Sequence, residues 1–222
     1  SLAFAATVLR QYLKRRKMHQ RVWSFGLFAY GIGALTEFLK GIGVWNQAVY
    51  SAWYLFGAFF VAAYLGMGTV YLMAPRRVGN LVLGLLVALS LVAVVLVATA
   101  GVDMSQVPVA AKISGKGMPN YIRLLTPIFN IFGTLALVGG AAWSAWVFWR
   151  RRAMPHRALS NLLIAIGALL PAIGSGLLRF DLPALYYLFE LLGVSVIFLG
   201  FLANHEIVAS SLTARVAADR AA

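Results

Sequence analysis

A chain of 222 residues in which 62% are apolar and only 11% charged, with mean hydropathy +0.84, has too little polar surface to coat a particle in water. Soluble domains carry about a quarter charged residues, so the composition excludes an ordinary soluble fold and makes lipid the fitting solvent. A net charge of +13, from 19 Lys+Arg against 6 Asp+Glu, would suggest nucleic acid in a soluble protein. Here it reads as membrane anchoring, and no nucleic-acid partner is expected.

In chain order, residues 1–13 are apolar but interrupted by Arg10. They read either as the cytoplasmic half of a first helix or as a short interfacial helix with a basic face. The basic turn Arg15-Arg16-Lys17-Met18-His19-Gln20-Arg21 follows. Six long apolar runs come next, over residues 22–44, 48–73, 78–101, 121–149, 158–178 and 182–203. Each holds about 20 residues or more, enough to cross a ~30 Å hydrocarbon layer as a helix. Helix is required, because open strands leave backbone groups unpaired in lipid. The expected fold is all-α: a polytopic membrane helix bundle of six full spans plus a partial or complete first helix, seven in total. It forms one transmembrane domain over residues 1–222.

Charge orients the bundle. Of the 19 basic residues, 14 fall at Arg10–Arg21, Arg76–Arg77, Arg150–Arg157 and the C-terminal tail 204–222. Lys40, Lys112, Lys116, Arg123 and Arg179 fall on the other side. The asymmetry alternates across all six runs, which places the basic ends and the C-terminus in the cytoplasm. Arg15, Arg16, Arg76, Arg77, Arg151 and Arg152 are the expected contacts to anionic lipid headgroups. Residues 102–120 form the longest external loop. The location implied is a bacterial inner membrane.

Two parts of the chain resemble each other. Arg15–Arg21 matches Arg151–Arg157 loosely, Gly33-Ala34-Leu35 matches Gly167-Ala168-Leu169, Tyr54-Leu55-Phe56 matches Tyr187-Leu188-Phe189, and Leu65-Gly66 matches Leu199-Gly200. This fits a 3+1+3 parallel repeat of the kind known in transporters. Chance matching of Leu, Ala and Gly competes with it.

The turn Arg15–Trp23 leads into a Gly/Ala-rich helix carrying Glu37. It resembles the seven-helix sensor region at the N-terminus of some bacterial histidine kinases. The segments Trp53–Ala58 and Leu65–Leu72 are similar to those of multi-pass bacterial membrane proteins. The resemblance implies a sensor whose output comes from a partner protein, because a kinase would need a long soluble C-terminal part.

Charged residues inside a membrane are costly and face the bundle interior. Glu37 lies about 15 residues, or ~22 Å, into its run, and Glu190 lies about 8 residues, or ~12 Å, from the outer end of the last run. Asn130 sits at similar depth, one turn beyond Pro127. With Tyr54 and Tyr187 these residues suggest a ligand-binding pocket open to the outside, for a cationic or hydroxylated molecule or a proton-coupled step. Structural roles compete: Glu37 paired with Lys40 or Arg179, and Asn130 capping the Pro127 kink.

No catalytic set is visible, so an enzyme is not expected. His19, His156 and His205 show no ligand spacing, so neither a metal site nor haem is expected, and the sequence specifies no cofactor. The lack of cysteine excludes disulfides and thiolate sites. The expected function is a non-enzymatic sensor, a ligand- or lipid-binding module, or a subunit of a larger membrane complex with a protein partner or a second copy. The alternative is a small-solute transporter built from two three-helix repeats.

Overall fold

The structure is a computed structural model that describes residues 2–110, 113–150, 155–177, 185 and 187–202. Among the described residues there are seven helices and no strand. They are α1 (Leu2–Arg15), α2 (Met18–Gly41), α3 (Gln47–Met73), α4 (Arg76–Thr99), α5 (residues 120–150), α6 (Pro155–Leu177) and α7 (Tyr187–Leu202). Arg151, Arg152, Arg179, Lys112 and the tail 204–222 lie outside the described residues.

The helix ends follow local chemistry. Arg16, with a left-handed φ of 49°, reverses the chain between α1 and α2. Gly43, at φ 88°, does the same before α3, where a side chain would be strained. Asn46 caps α3 by accepting from the Val49 amide at 3.0 Å. Ala74 and Pro75 are extended and separate α3 from α4, since proline cannot donate to the preceding turn.

Four helices are long and apolar enough to cross a membrane: Met18–Gly41, Gln47–Met73, Arg76–Thr99 and Asn120–Ser144. These correspond to the first four expected runs. The described apolar stretches of α6 and α7, Leu162–Pro171 and Tyr187–Leu202, are shorter.

The chain divides into two compact units, residues 1–137 and 138–222. In the first, α2 and α3 run antiparallel, with Trp23 beside Gly68, Gly26 beside Leu65 and Gly33 beside Gly57. The Trp23 indole lies on Gly68 and donates to Leu65 O at 2.9 Å. This pairing brings the basic turns at Arg16–Lys17 and Arg76–Arg77 to one end of the unit, where Arg16, Lys17, Arg76 and Arg77 are exposed.

Helix α5 runs parallel to α3, and a β-carbon on Gly133 would overlap the backbone of Ala62. Small residues permit such close approach where the hydrophobic effect does not drive helices together. The core between these helices is aromatic: Phe59 stacks on Phe129 at 5.0 Å, and Tyr54 meets Phe59 edge-on at 5.1 Å.

Helix α4 shows what surrounds the unit. Its buried residues Gly79, Leu86, Ser90, Ala93 and Val97 form one stripe, with Tyr64 donating to Ser90 Oγ at 3.0 Å. Its other faces expose Leu81, Leu85, Leu91, Val92 and Val95. An apolar surface of that extent is unfavourable in water and ordinary in hydrocarbon.

Two helices depart from regular α geometry. Trp53–Phe60 of α3 and Leu135–Gly139 of α5 form wide π turns. Such turns are rare and often mark functional places.

In the second unit α6 and α7 are antiparallel. A β-carbon on Gly167 would lie 2.8 Å from Gly193 O, and Ser160 Oγ donates to Gly200 O. Pro171 sits inside α6, and its ring packs against Gly193.

Candidate functional site

Three of the five expected ligand residues, Glu37, Tyr54 and Asn130, fall in the first unit, in the half away from its basic turns. Each reaches its partner through the π-helical stretch of α3. Trp53, its first residue, donates its indole N–H to Glu37 Oε1 at 2.9 Å. Tyr54 follows, its ring 5.9 Å from that of Trp53, and its hydroxyl shares a 2.9 Å hydrogen bond with Thr126 Oγ1. Asn130, one turn beyond Thr126, donates to Thr126 O at 2.9 Å and to Ala58 O at 2.8 Å.

Two hydrogen-bonded links therefore cross the unit: Glu37 to Trp53 between α2 and α3, and Tyr54 through Thr126 and Asn130 to the Ala58 carbonyl between α3 and α5, the two meeting at the Trp53–Tyr54 ring contact. Asn130 is half-buried, and an amide drawn out of water into an apolar bundle is costly unless its hydrogens are used. Asn130 uses both, and one goes to a carbonyl of the π stretch. Asn130 does bond to the residue before Pro127, but it also clasps a second helix. Glu37 is held by an indole from α3, while Lys40, one turn along α2, is engaged elsewhere as well.

The described parts of the loop, residues 100–110 and 113–119, cover this half of the unit. Asp103 N donates to Gly117 O at 3.0 Å and draws the two ends of the loop together. Val107, Ile113 and Met118 are buried. Three side chains, two from helices and Trp45 from the turn between α2 and α3, donate to its backbone: Lys40 Nζ to Val109 O at 2.7 Å, Trp45 Nε1 to Val107 O at 2.7 Å, and Tyr50 OH to Ser114 O at 2.9 Å. Lys40 Nζ also stands 5.4 Å from the centroid of the Trp45 ring, a cation–π contact. Tyr54 is only 2% exposed, and Gly115 lies against its ring. In this arrangement the loop lies over the Tyr50 and Tyr54 rings.

On the loop itself, Asp103 Oδ1 accepts from the amide and the hydroxyl of Ser105 at 3.0 and 2.6 Å. Those bonds hold its carboxyl below the usual carboxylate range.

The other two expected ligand residues, Tyr187 and Glu190, lie on α7 in the second unit. Tyr187 is exposed, and Glu190 is half-buried, three residues before Gly193. Among the described residues no three His, Cys, Asp or Glu side chains are grouped to hold a metal.

Sequence reasoning missed Trp45, Tyr50, Trp53 and Thr126. The signal for the first three was present: aromatic residues with polar tips recur at 45, 50, 53 and 54, near Glu37 and Lys40. Thr126 carried none, since threonine is common in apolar helices. Searches against protein-family profiles, curated proteins and solved structures return no match.

Proposed function

We propose that the chain is a non-enzymatic integral membrane protein, a seven-helix module that binds a ligand or lipid and serves as a sensor or as a subunit of a larger membrane complex. One observation carries the reading. Hydrogen bonds from Glu37 to Trp53 and from Tyr54 and Asn130 across to the neighbouring helix join three apolar helices beneath a docked loop, in a unit whose outward surface is hydrocarbon-like. Buried polar networks in membranes are expensive and mark functional interiors.

The basic turns at one end of the first unit support a cytoplasmic orientation for that end, with Arg16, Arg76 and Arg77 meeting anionic headgroups. The rest of the proposal follows the sequence: crossings by α6 and α7 as well, a cytoplasmic C-terminus, a bacterial inner membrane, and a protein partner or second copy.

A second reading, a small-solute transporter built from two parallel repeats, draws on a specific likeness. Gly33 meets Gly57 in the α2–α3 hairpin, and Gly167 meets Gly193 in the α6–α7 hairpin. Parallel repeats with a site at their interface are a transporter plan.

Reconstitution separates the two. A sensor or subunit copurifies with a stoichiometric membrane partner after mild detergent extraction and moves no solute in proteoliposomes. A transporter moves solute, and Glu190→Gln stops it. A protein that shows neither partner nor flux sinks both readings. Membrane-impermeant labelling of Arg76→Cys and Ser105→Cys checks the topology, which requires opposite faces.

A further inference from the structure

We propose that Trp143, Trp146 and Arg150, at the end of α5 in the second unit, form a binding site for the phosphate group of an anionic phospholipid. The proposal deepens the lipid-binding reading above by naming the group recognised and the side chains that hold it.

The three residues are spaced by three and four, which brings side chains onto one face of a helix. The structure stacks them in that order. The Trp143 and Trp146 ring centroids are 5.1 Å apart, and the Arg150 guanidinium stands 5.2 Å from the centroid of the Trp146 ring. All three side chains are exposed, so the stack lies on the outside of its unit.

The guanidinium is braced and still available. Its contact with the Trp146 ring is a cation–π contact, which consumes no N–H. Among the described residues no acceptor engages those N–H groups. A guanidinium presents them as a planar fork that matches two oxygens of a phosphate. Holding the fork on an indole before the ligand arrives reduces the ordering cost of binding.

Depth favours a lipid over a free anion. The stretch of α5 long and apolar enough to span ends at Ser144. Arg150 lies about six residues, or ~9 Å, beyond that point, at headgroup level, while Trp143 lies at the edge of the hydrocarbon. The stack therefore runs from acyl chain to phosphate, as a phospholipid does. Arg151 and Arg152 follow in sequence, and that run of charge favours a headgroup with no cation of its own.

Native mass spectrometry of the full chain in mild detergent, titrated with phosphatidylglycerol or phosphatidylcholine, tests the site. The first phosphatidylglycerol should bind at least about threefold more tightly than phosphatidylcholine. Arg150→Gln and Trp146→Leu should each lower that ratio by about twofold or more, and the double variant should lower it no further than either alone. Arg150→Lys keeps the charge and loses the planar fork, so it should behave like Arg150→Gln. Inorganic phosphate at matched ionic strength should not displace the lipid, because it has no chains to lie along the tryptophans. A ratio that survives Arg150→Gln, full retention in Arg150→Lys, or displacement by inorganic phosphate would overturn the proposal. All the substituted side chains are exposed, so the variants should fold as the parent does. Topology labelling at residues 76 and 105 is read independently, so the membrane reading can stand while this one falls.

Discussion

In the α2–α3 hairpin Gly33 meets Gly57 where the helices cross, and in the α6–α7 hairpin Gly167 meets Gly193. Seven residues before the crossing, Gly26 faces Leu65 in one hairpin and Ser160 faces Gly200 in the other. On the second helix the spacing differs: eight residues separate Gly57 from Leu65, and seven separate Gly193 from Gly200. The extra residue coincides with the π stretch Trp53–Phe60. A wide turn absorbs one residue without rotating the rest of the helix onto another face. The hairpins thus keep one crossing while differing in what surrounds it. Counted back from the crossing glycine, Tyr54 corresponds to Glu190, not to Tyr187 as the sequence match had it. Counted forward, Glu37 corresponds to Pro171. The first hairpin carries its acid on α2, bonded to an indole, and the second carries it on α7, opposite a helix with an internal proline.

Deletions should give the largest separation between the hairpins. Removing Val196 from the regular α7 turns everything beyond it by about 100°. We expect no monodisperse protein from that variant on size-exclusion chromatography. Removing Ala58 takes out the extra residue of the π stretch and should cost only about 1–2 kcal/mol, mainly the Asn130 bond to α3. Equal damage from both deletions would break the comparison.

Glycine substitutions come next. A β-carbon at position 167 would lie 2.7–2.8 Å from Ile197 Cγ1, Ile197 N and Gly193 O, whereas at position 33 it would lie 3.1 Å from Gly57 Cα. Gly167→Ala should therefore destabilise by about 2–3 kcal/mol and Gly33→Ala by about 1 kcal/mol. Thermal unfolding in detergent measures both, and the reverse order would contradict the stated packing.

Polar substitutions are smaller. Asn130→Ala and Trp53→Phe should each cost about 1 kcal/mol, the usual size of an interhelical hydrogen bond in a membrane protein. Chemical denaturation would show it, and two neutral variants would mean the links made by Glu37 and Asn130 are not a stabilising clasp.

The smallest effect is on the loop. The Asp103 carboxyl is held below the ordinary carboxylate range in the folded chain, so its bonds to Ser105 favour folding above that range. Their contribution is lost as pH falls through the folded pKa. Limited proteolysis of the loop should quicken only in acid below about pH 4. Asp103→Ala should remove the pH dependence.

Much of the fold was legible because hydrocarbon imposes a length on each apolar run. The expected runs 22–44, 48–73 and 78–101 match α2, α3 and α4 to within about four residues, the ordinary scatter of helix ends. The short first run forms the 14-residue α1. The π stretch was not legible, because one added residue leaves an apolar helix apolar. Asn130 was legible as a polar residue at depth, but its partner was not, since a backbone carbonyl has no letter in the sequence. The same holds for the loop. Lys40, Trp45 and Tyr50 each grip main-chain oxygen, so the sequence of residues 102–120 gave no hint that it folds back onto the helices.

That manner of attachment separates the latch from the piece it fastens. Because the grip belongs to α2, α3 and the turn between them, and its purchase is anonymous backbone, exposed loop positions such as Gln106, Pro108 or Val109 can drift under mutation without unfastening it. Related chains could wear quite different loops over the same three fingers, and the region would look unconstrained to anyone comparing letters alone.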